Sequence, residues 1–369
     1  MEVPILVTGT TGFLGSHFLL WLSQHRSSRV FALVRGTSEE HRRTRLTLSL
    51  QTAADGYRPQ PDWKKIAADT QVVGGDIEEP LCGVGEADRR MLADTGIREL
   101  WHFAASLNFE ESRRDLIRSQ NIGGPRHAIA LASALGAQRF IYVSTAYTAG
   151  AEDGTFAEVL HPRISRFSNV YEESKCEAEH LVTELCRQHA LQLTILRPSI
   201  VIGCSHTYAP AGTSSGLYGF IREIHRLRRR LERTSEVVRI QADPHTPLNF
   251  IPVDAVMRDI MALIESDFAS GPILHLSAMG GVSVGHLVAS ISRQLGIENL
   301  TVACSDPDSL SPLEQLLSRR ITFYGSYLRS RKEFSRSLPA RWEVRDEDFM
   351  RFVAEGVRML AARRIPNAR

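Results

Sequence analysis

At 369 residues the chain is long for one compact core, and its size points to two domains or to one carrying a large insertion. An apolar content of 43% and a charged content of 23% are those of a globular protein, and a formal charge of +2 excludes a general attraction to nucleic acid or to an anionic membrane. Five scattered cysteines without a CxxC pair, and no histidine at metal-ligand spacing, predict free thiols in a reducing compartment and no metal site.

The opening Met1-Glu2-Val3-Pro4 lacks the basic flank of a secretion signal, and no stretch reaches the ~18 apolar residues of a membrane span, so a cytoplasmic protein is expected. Ile5-Leu6-Val7 then reads as a buried parallel strand, and Phe13 to Leu22 as the helix after it. Further strands are predicted at Val30–Val34, Gln71–Val73, Leu100–Phe103, Phe140–Val143 and Leu193–Leu196. Helices are expected over Glu39–Ala54, in a long stretch ending near Leu135, and around Tyr171 as far as Gln188. Strands alternating with helices predict an α/β fold, a Rossmann-type doubly wound parallel sheet with its ligands at the carboxyl ends of the strands.

After Pro198 the pattern loosens. Gly, Ser and Pro cluster from Gly203 to Gly219, a basic helix follows, and Leu248 to Asp254 lead into an amphipathic helix through Ile264 before a further strand, Ile273–Leu276. Residues 1–203 with 241–276 are expected to form the dinucleotide-binding domain, and 204–240 with 277–369 a smaller substrate-binding lid.

The strongest local signal is Gly9-Thr10-Thr11-Gly12-Phe13-Leu14-Gly15. Glycines at this spacing, between a strand and a helix, let the backbone turn tightly and approach a pyrophosphate that the helix N-terminus attracts. Thr11, Phe13 and Leu14 belong to the same turn. An NAD site usually has an acidic residue at the end of the second strand, to accept from the ribose hydroxyls. Here that position is Arg35. A guanidinium suits a ribose 2′-phosphate, so NADP(H) is expected, with Glu39 and Glu40 close enough to compete and Arg45 able to reach the same phosphate. Arg42 and Arg43 make a solvated basic helix face an equal reading. Asp76-Ile77 would accept from the adenine amino group and pack on its ring, and Ala104-Ala105-Ser106 offer small side chains where backbone nears the cofactor.

Tyr171-Glu172-Glu173-Ser174-Lys175 sets a phenol and an ammonium one helical turn apart. On that spacing Lys175 is expected beside the phenol, favouring its ionised form and making a group of reference pKa about 10 a proton donor near neutrality.

Together with Gly75-Asp76-Ile77, His102-Phe103-Ala104-Ala105, Val143-Ser144-Thr145-Ala146-Tyr147 and Arg197-Pro198-Ser199-Ile200-Val201, these motifs resemble the extended short-chain dehydrogenases/reductases. Leu33-Val34-Arg35, Asn108-Phe109, Ser144 to Tyr147 and Arg197 to Val201 carry a narrower likeness to fatty acyl-CoA reductases and to the thioester reductase domains that release products from peptide and polyketide synthetases. It covers about residues 3 to 260. The resemblance implies Thr145 as the hydroxyl polarising the carbonyl oxygen, with Ser144 its rival, Tyr171 as proton donor, and Lys175 tuning Tyr171 and binding the nicotinamide ribose. It extends the cofactor site to Pro198, Ser199 and Ile200, and makes Asn121 the amide that props a helix bend. Phe103 departs from the asparagine or serine common after the histidine.

The function implied is NADPH-dependent reduction of an acyl thioester, on coenzyme A or a carrier-protein arm, to an aldehyde, with the step to alcohol left open. Arg222 to Arg233, the one dense basic run, would receive the carrier or the phosphates of coenzyme A, or is simply a solvated face. A nucleotide-sugar epimerase or dehydratase, or a hydroxysteroid-type dehydrogenase, is the competing enzyme class, and a non-catalytic dinucleotide sensor the competing binding class.

Overall fold

The computed structural model describes residues 2–163, 166–268, 272–304, 310–339, 342–343 and 345–362; parts of the expected lid range lie outside them. Seven strands form one parallel sheet: β1 (Ile5–Thr8), β2 (Val30–Val34), β3 (Gln71–Gly74), β4 (Glu99–His102), β5 (Arg139–Val143), β6 (Gln192–Pro198) and β7 (Ile273–Leu276). Their spatial order is β3-β2-β1-β4-β5-β6-β7, the doubly wound arrangement predicted from the alternating pattern. The order reverses beside β1, the switch point at whose strand ends sheets of this kind hold their ligands.

Both faces of the sheet are covered, which is why its strands are unbroken apolar runs. Ile5, Val7, Ala32, Val34 and Trp101 pack with α1 (Phe13–His25), α2 (Glu39–Ala54) and, further along the chain, the helix Val253–Glu265. Leu6, Phe31, Leu33, Leu100 and Phe140 face the other way, onto α3 (Gly124–Ala134) and α4 (Val170–Gln188). Cap chemistry sets the starts of α2 and α4. Ser38 Oγ accepts from the His41 amide at 3.1 Å, and Asn169 Oδ1 from the Glu172 amide at 2.9 Å.

A second core lies outside the sheet. It joins α5 (Leu217–Leu231), the residues Leu248 and Phe250 that precede α6 (Val253–Glu265), and the helices α7 (Val284–Leu295), α8 (Pro312–Arg320) and α9 (Asp346–Ala361). Ile221, Ile224, Leu287, Ile291, Leu317, Phe349 and Phe352 fill it. Two short strands, 154–156 and 332–334, pair in parallel and tie this body back to the segment following β5.

The sheet also carries a buried polar cluster. Arg197 on β6 is fully buried and donates to both Glu179 oxygens, from Nε at 2.9 Å and from a terminal nitrogen at 2.5 Å. Its other terminal nitrogen faces His161 Nε2 at 3.2 Å and His275 Nε2 at 3.4 Å. Burial and then the Arg197 charge push His161 down to about 3, so its neutral ring accepts from the guanidinium. Thr148 Oγ1 closes the network on His161 Nδ1 at 3.0 Å, anchoring the loop at the end of β5. Removing one partner of a buried pair leaves the other charge uncompensated. Glu179→Gln is therefore expected to destabilise the protein by about 3 kcal/mol in urea denaturation.

Candidate active site

At the end of β1 the chain turns with Gly9 at φ +74°, and a Cβ there would lie 2.5 Å from the Ala104 nitrogen and 2.7 Å from the Phe103 carbonyl carbon. Only glycine meets both demands, the left-handed backbone and the close approach of the loop after β4. A Cβ on Gly15 would run into the Gly9 carbonyl, so the first helical turn is drawn onto the glycine loop. The Gly12 amide donates to the Gly9 carbonyl at 2.9 Å, and Ser49 Oγ ties α2 to the Thr11 carbonyl at 3.1 Å. Phe13 packs edge-on against His17, and Leu14 lies against the first core. This cradle at a helix N-terminus, with no Cβ in its way, fits the pyrophosphate of a dinucleotide.

Beside it is a shallow cleft of about 420 Å³ lined by the guanidinium residues Arg35 and Arg42, the carboxylates Asp76, Glu79 and Asp88, and glycines of the strand ends. Arg35 is 63% exposed and stands 3.5 Å from Asp76 and 3.6 Å from Glu78, a surface pairing worth little and easily given up to an anion. Arg45 donates to the Arg35 carbonyl, and Glu39 is occupied by Arg43 at 3.0 Å. Arg42, grouped with Arg43 on a solvated face by the sequence pattern, instead lies across the cleft floor. It donates to the Gly36 carbonyl at 3.1 Å, its guanidinium covers Gly74, and its Nε is buried without a partner among the described residues. The signal for it lies in the glycines: Gly36 and Gly74 end adjacent strands, where a side chain crossing them needs room.

Asp76 Oδ1 accepts from the Glu78 amide at 3.1 Å, and Ile77 packs against Gly124 while its carbonyl faces His127 Nδ1 at 2.9 Å. In the loop after β4, the Ala104 amide meets Thr8 Oγ1 at 3.4 Å and the Ser106 amide donates to Asn121 Oδ1 at 2.7 Å. Ala105 lies between them. Asn121 sits in a single π-turn, Ser119–Gly123, and its amide nitrogen donates to the Ser106 carbonyl at 3.2 Å and to Ser174 Oγ at 3.0 Å. The bend thus points one amide at both the loop after β4 and the helix of Tyr171.

Tyr171 lies in the first turn of α4 and Thr145 caps the short 3-10 turn Ala146–Ala149, its Oγ1 accepting from the Tyr147 amide at 3.3 Å. Both are buried, and the Thr145 side chain lies near enough to the Tyr171 phenol to pull its pKa downward. Ser144 Oγ, the rival hydroxyl, is buried without a partner among the described residues. At the end of β6, the Ser199 amide donates to the Leu276 carbonyl at 3.0 Å, its Oγ to Asn249 Oδ1 at 2.7 Å, and the Ile200 amide to the Asn249 carbonyl at 3.1 Å; Pro198 precedes them at the strand end.

Lys175 departs from expectation. Its ammonium does not sit against the phenol: Nζ donates to the Val143 carbonyl at 2.7 Å and lies 4.2 Å from the Tyr142 ring centroid. The phenol, correspondingly, is pushed up rather than down, first by burial and then by the Glu172 charge, against the pull of the Thr145 side chain. The i, i+4 spacing put the two residues on one face, but a buried ammonium needs an acceptor, and the backbone carbonyl at the end of β5 supplies one.

The model of an NAD-binding family described as male sterility protein matches residues 7–260. The chain belongs to that family. As a member it carries the extended short-chain dehydrogenase/reductase fold, and it is similar to two kinds of curated protein. Isonitrile lipopeptide synthase of Mycobacterium tuberculosis is 30% identical over 212 residues, 54% of this chain and 8% of that protein. Fatty acyl-CoA reductase 1 of Mus musculus is 28% identical over 228 residues, 53% of this chain and 43% of that protein. The chain therefore spans less than half of either. Among solved structures, the terminal R domain from the myxalamid PKS-NRPS biosynthetic pathway superimposes with a TM-score of 0.75 at 23% identity, covering 97% of this chain and 91% of that one, a likeness of fold.

Burial lowers Lys175 from 10.5 to about 7, with the Glu179 charge opposing. The unfolded chain holds that proton to about 10.5 and the folded chain only to about 7, so unfolding takes up a proton in this window and stability rises with pH through it. Between pH 7 and 9 the unfolding free energy of the wild type is expected to climb relative to Lys175→Met by roughly 1.4 kcal/mol per pH unit. Denaturant titrations with parallel pH dependence would disprove the buried, depressed lysine.

Proposed function

We propose that the chain is an NADPH-dependent reductase of an acyl thioester, borne by coenzyme A or by the phosphopantetheine arm of a carrier protein, with an aldehyde as its first product. The observation that carries this reading is the meeting of two buried hydroxyls, Thr145 and Tyr171, at the end of β5, on the same sheet edge as the glycine cradle at the end of β1. The bound dinucleotide supplies a hydride. As the carbonyl carbon gains it, the oxygen becomes an alkoxide that Thr145 and Tyr171 are placed to hydrogen-bond. Burial keeps the phenol protonated at neutral pH, so Tyr171 acts as a donor. When the carbon–sulfur bond breaks, the thiolate leaves with the bonding pair and the carbonyl re-forms as aldehyde. Arg35 and Arg42 line the cleft at the end of β2, the chemistry a ribose 2′-phosphate requires and the support for NADPH over NADH. The second core, built from the chain after Pro198, is the proposed substrate-binding body.

The relatives named above include a lipopeptide synthase and an acyl-CoA reductase, so both thioester carriers stay within the proposal. α5 supports a docking role for the carrier. Its leucines face the second core, while Arg226 and Arg228 pair with Glu223 and Glu232. Arg229 and Arg230 are exposed and form no ion pair among the described residues. A carrier or coenzyme A brings negative charge that such a face attracts.

Oxidation of NADPH and of NADH against a panel of acyl-coenzyme A and acyl-carrier substrates, with mass analysis of the products, tests the reading. Turnover is expected with NADPH, and Tyr171→Phe should lower kcat at least about 100-fold. A wild type that reduces no thioester, or a variant with full turnover, defeats it. Neutralising Arg228, Arg229 and Arg230 together should raise KM for the carried substrate most strongly at low salt, and an unchanged KM would leave α5 a solvated helix.

A further inference from the structure

Two chains of ring contacts leave the candidate hydroxyls and meet on one residue of the second body. From Tyr171, 9% exposed, the contact runs edge-on to Phe109 with centroids 5.0 Å apart, and from Phe109 to Phe323 at 3.8 Å. From the turn that Thr145 caps, it runs from Tyr147 to Tyr327 at 4.7 Å and on to Phe323 at 5.8 Å. Phe109 and Phe323 are half-buried, and Leu107, in the same loop as Phe109, is 55% exposed. Apolar side chains left partly open beside a buried polar pair suit an apolar ligand. Neighbours on both sides hold Phe323 in place. It is the middle residue of a 3-10 turn, Thr322–Tyr324, in which the Tyr324 amide donates to the Ile321 carbonyl at 2.8 Å and Thr322 Oγ1 to the Ser318 carbonyl at 2.8 Å. The Tyr324 ring packs edge-on with Phe220 of α5, and its hydroxyl takes the place that a Cβ on Gly219 would need.

We propose that Phe323 is a specificity-determining residue: it is the wall against which the acyl group of the substrate lies, so that the group accepted is apolar and unbranched beside its carbonyl. The assignment rests on the reductase reading, in which Thr145 and Tyr171 hydrogen-bond the carbonyl oxygen. With the oxygen held by those two, the chain on the carbonyl carbon meets the rings of Phe109 and Phe323, and burying it there gains free energy methylene by methylene. Rings with centroids 3.8 Å apart are in van der Waals contact and leave no gap between them, so a chain passes along the stack and not through it. A second substituent next to the carbonyl needs room that the Phe323 ring fills, and well-packed apolar walls answer added bulk with strain. Neither phenylalanine ring accepts a hydrogen bond from a hydroxyl or amide in that position, which would give up water without replacement.

The test is the binding of acyl-pantetheine amides, in which nitrogen replaces the thioester sulfur and no reduction follows, titrated calorimetrically into the full chain. Through the straight acetyl, propionyl, butyryl and valeryl amides the wild-type affinity should rise about three- to fourfold per methylene. The pivaloyl amide, a branched isomer of valeryl, should bind at least about tenfold more weakly than valeryl. In Phe323→Ala this preference for the straight chain should fall to about twofold or less. A ratio of affinities cancels any general loss of binding, so a residue of structural importance alone would leave it unmoved. Phe323→Leu keeps an apolar side chain but not the flat ring, and its ratio is expected between the two. An unchanged ratio in Phe323→Ala, or in Phe323→Leu should the alanine variant not fold, overturns the proposal, as does a wild type that binds none of the amides. The two readings fail separately. A chain that shows the expected ratios yet reduces no thioester sinks the reductase reading and keeps the acyl wall, whereas an active reductase whose ratio ignores Phe323 does the reverse.

Discussion

One contact organises the site: a buried ammonium on a strand-end carbonyl, Lys175 Nζ on Val143. An ammonium taken out of water must find an acceptor or lose its proton, and Lys175 does some of both. Because the acceptor belongs to β5, the contact fixes the rotation of α4 about its axis. Tyr171, one turn earlier, then faces the loop that follows the same strand, where Thr145 lies. Asn121 braces the arrangement from a third side, through Ser174 and the loop after β4. The candidate residues are thus tied to the ends of β4 and β5 through backbone carbonyls and one side-chain hydroxyl.

Over this polar floor lies an aromatic cover. Phe109 presents its edge to Tyr171, Phe323 lies on Phe109 at 3.8 Å between centroids, and Tyr324 meets Phe220 of α5. Gly219 is bare because the Tyr324 hydroxyl occupies the place of its Cβ. A polar group in this place meets ring faces and two hydroxyls in place of water, and hydrogen bonds there gain strength in the lower local dielectric. The cover unites the two cores, since Phe109 extends from the sheet and Phe323, Tyr324 and Tyr327 from the chain after α8.

Much of the first half was legible in the sequence because its signals are local. Strands buried on both faces are written as apolar runs, and β1 to β7 each fall within a residue or two of where those runs lie. The helix expected from Glu39 does start there, with Ser38 as its side-chain cap. The glycine turn was legible for the same reason, its geometry being a property of seven consecutive residues. What escaped depends on partners distant in the chain. Nothing near Lys175 announces that the Val143 carbonyl will accept from it, and nothing near Arg42 says that its guanidinium will cover a strand-end glycine. After residue 276 the elements are short and depend on each other for burial, so pattern alone did not resolve them.

The pairing of 154–156 with 332–334 bears on the order in which the protein assembles. Its strands are 178 residues apart, and the later one brings Lys332, and closely Tyr327, to the site. During synthesis the nucleotide-binding half can collapse on its own apolar strands well before that segment leaves the ribosome. Closing so long a loop is slow, so the pairing of these two strands should lag behind the collapse of the sheet that precedes it.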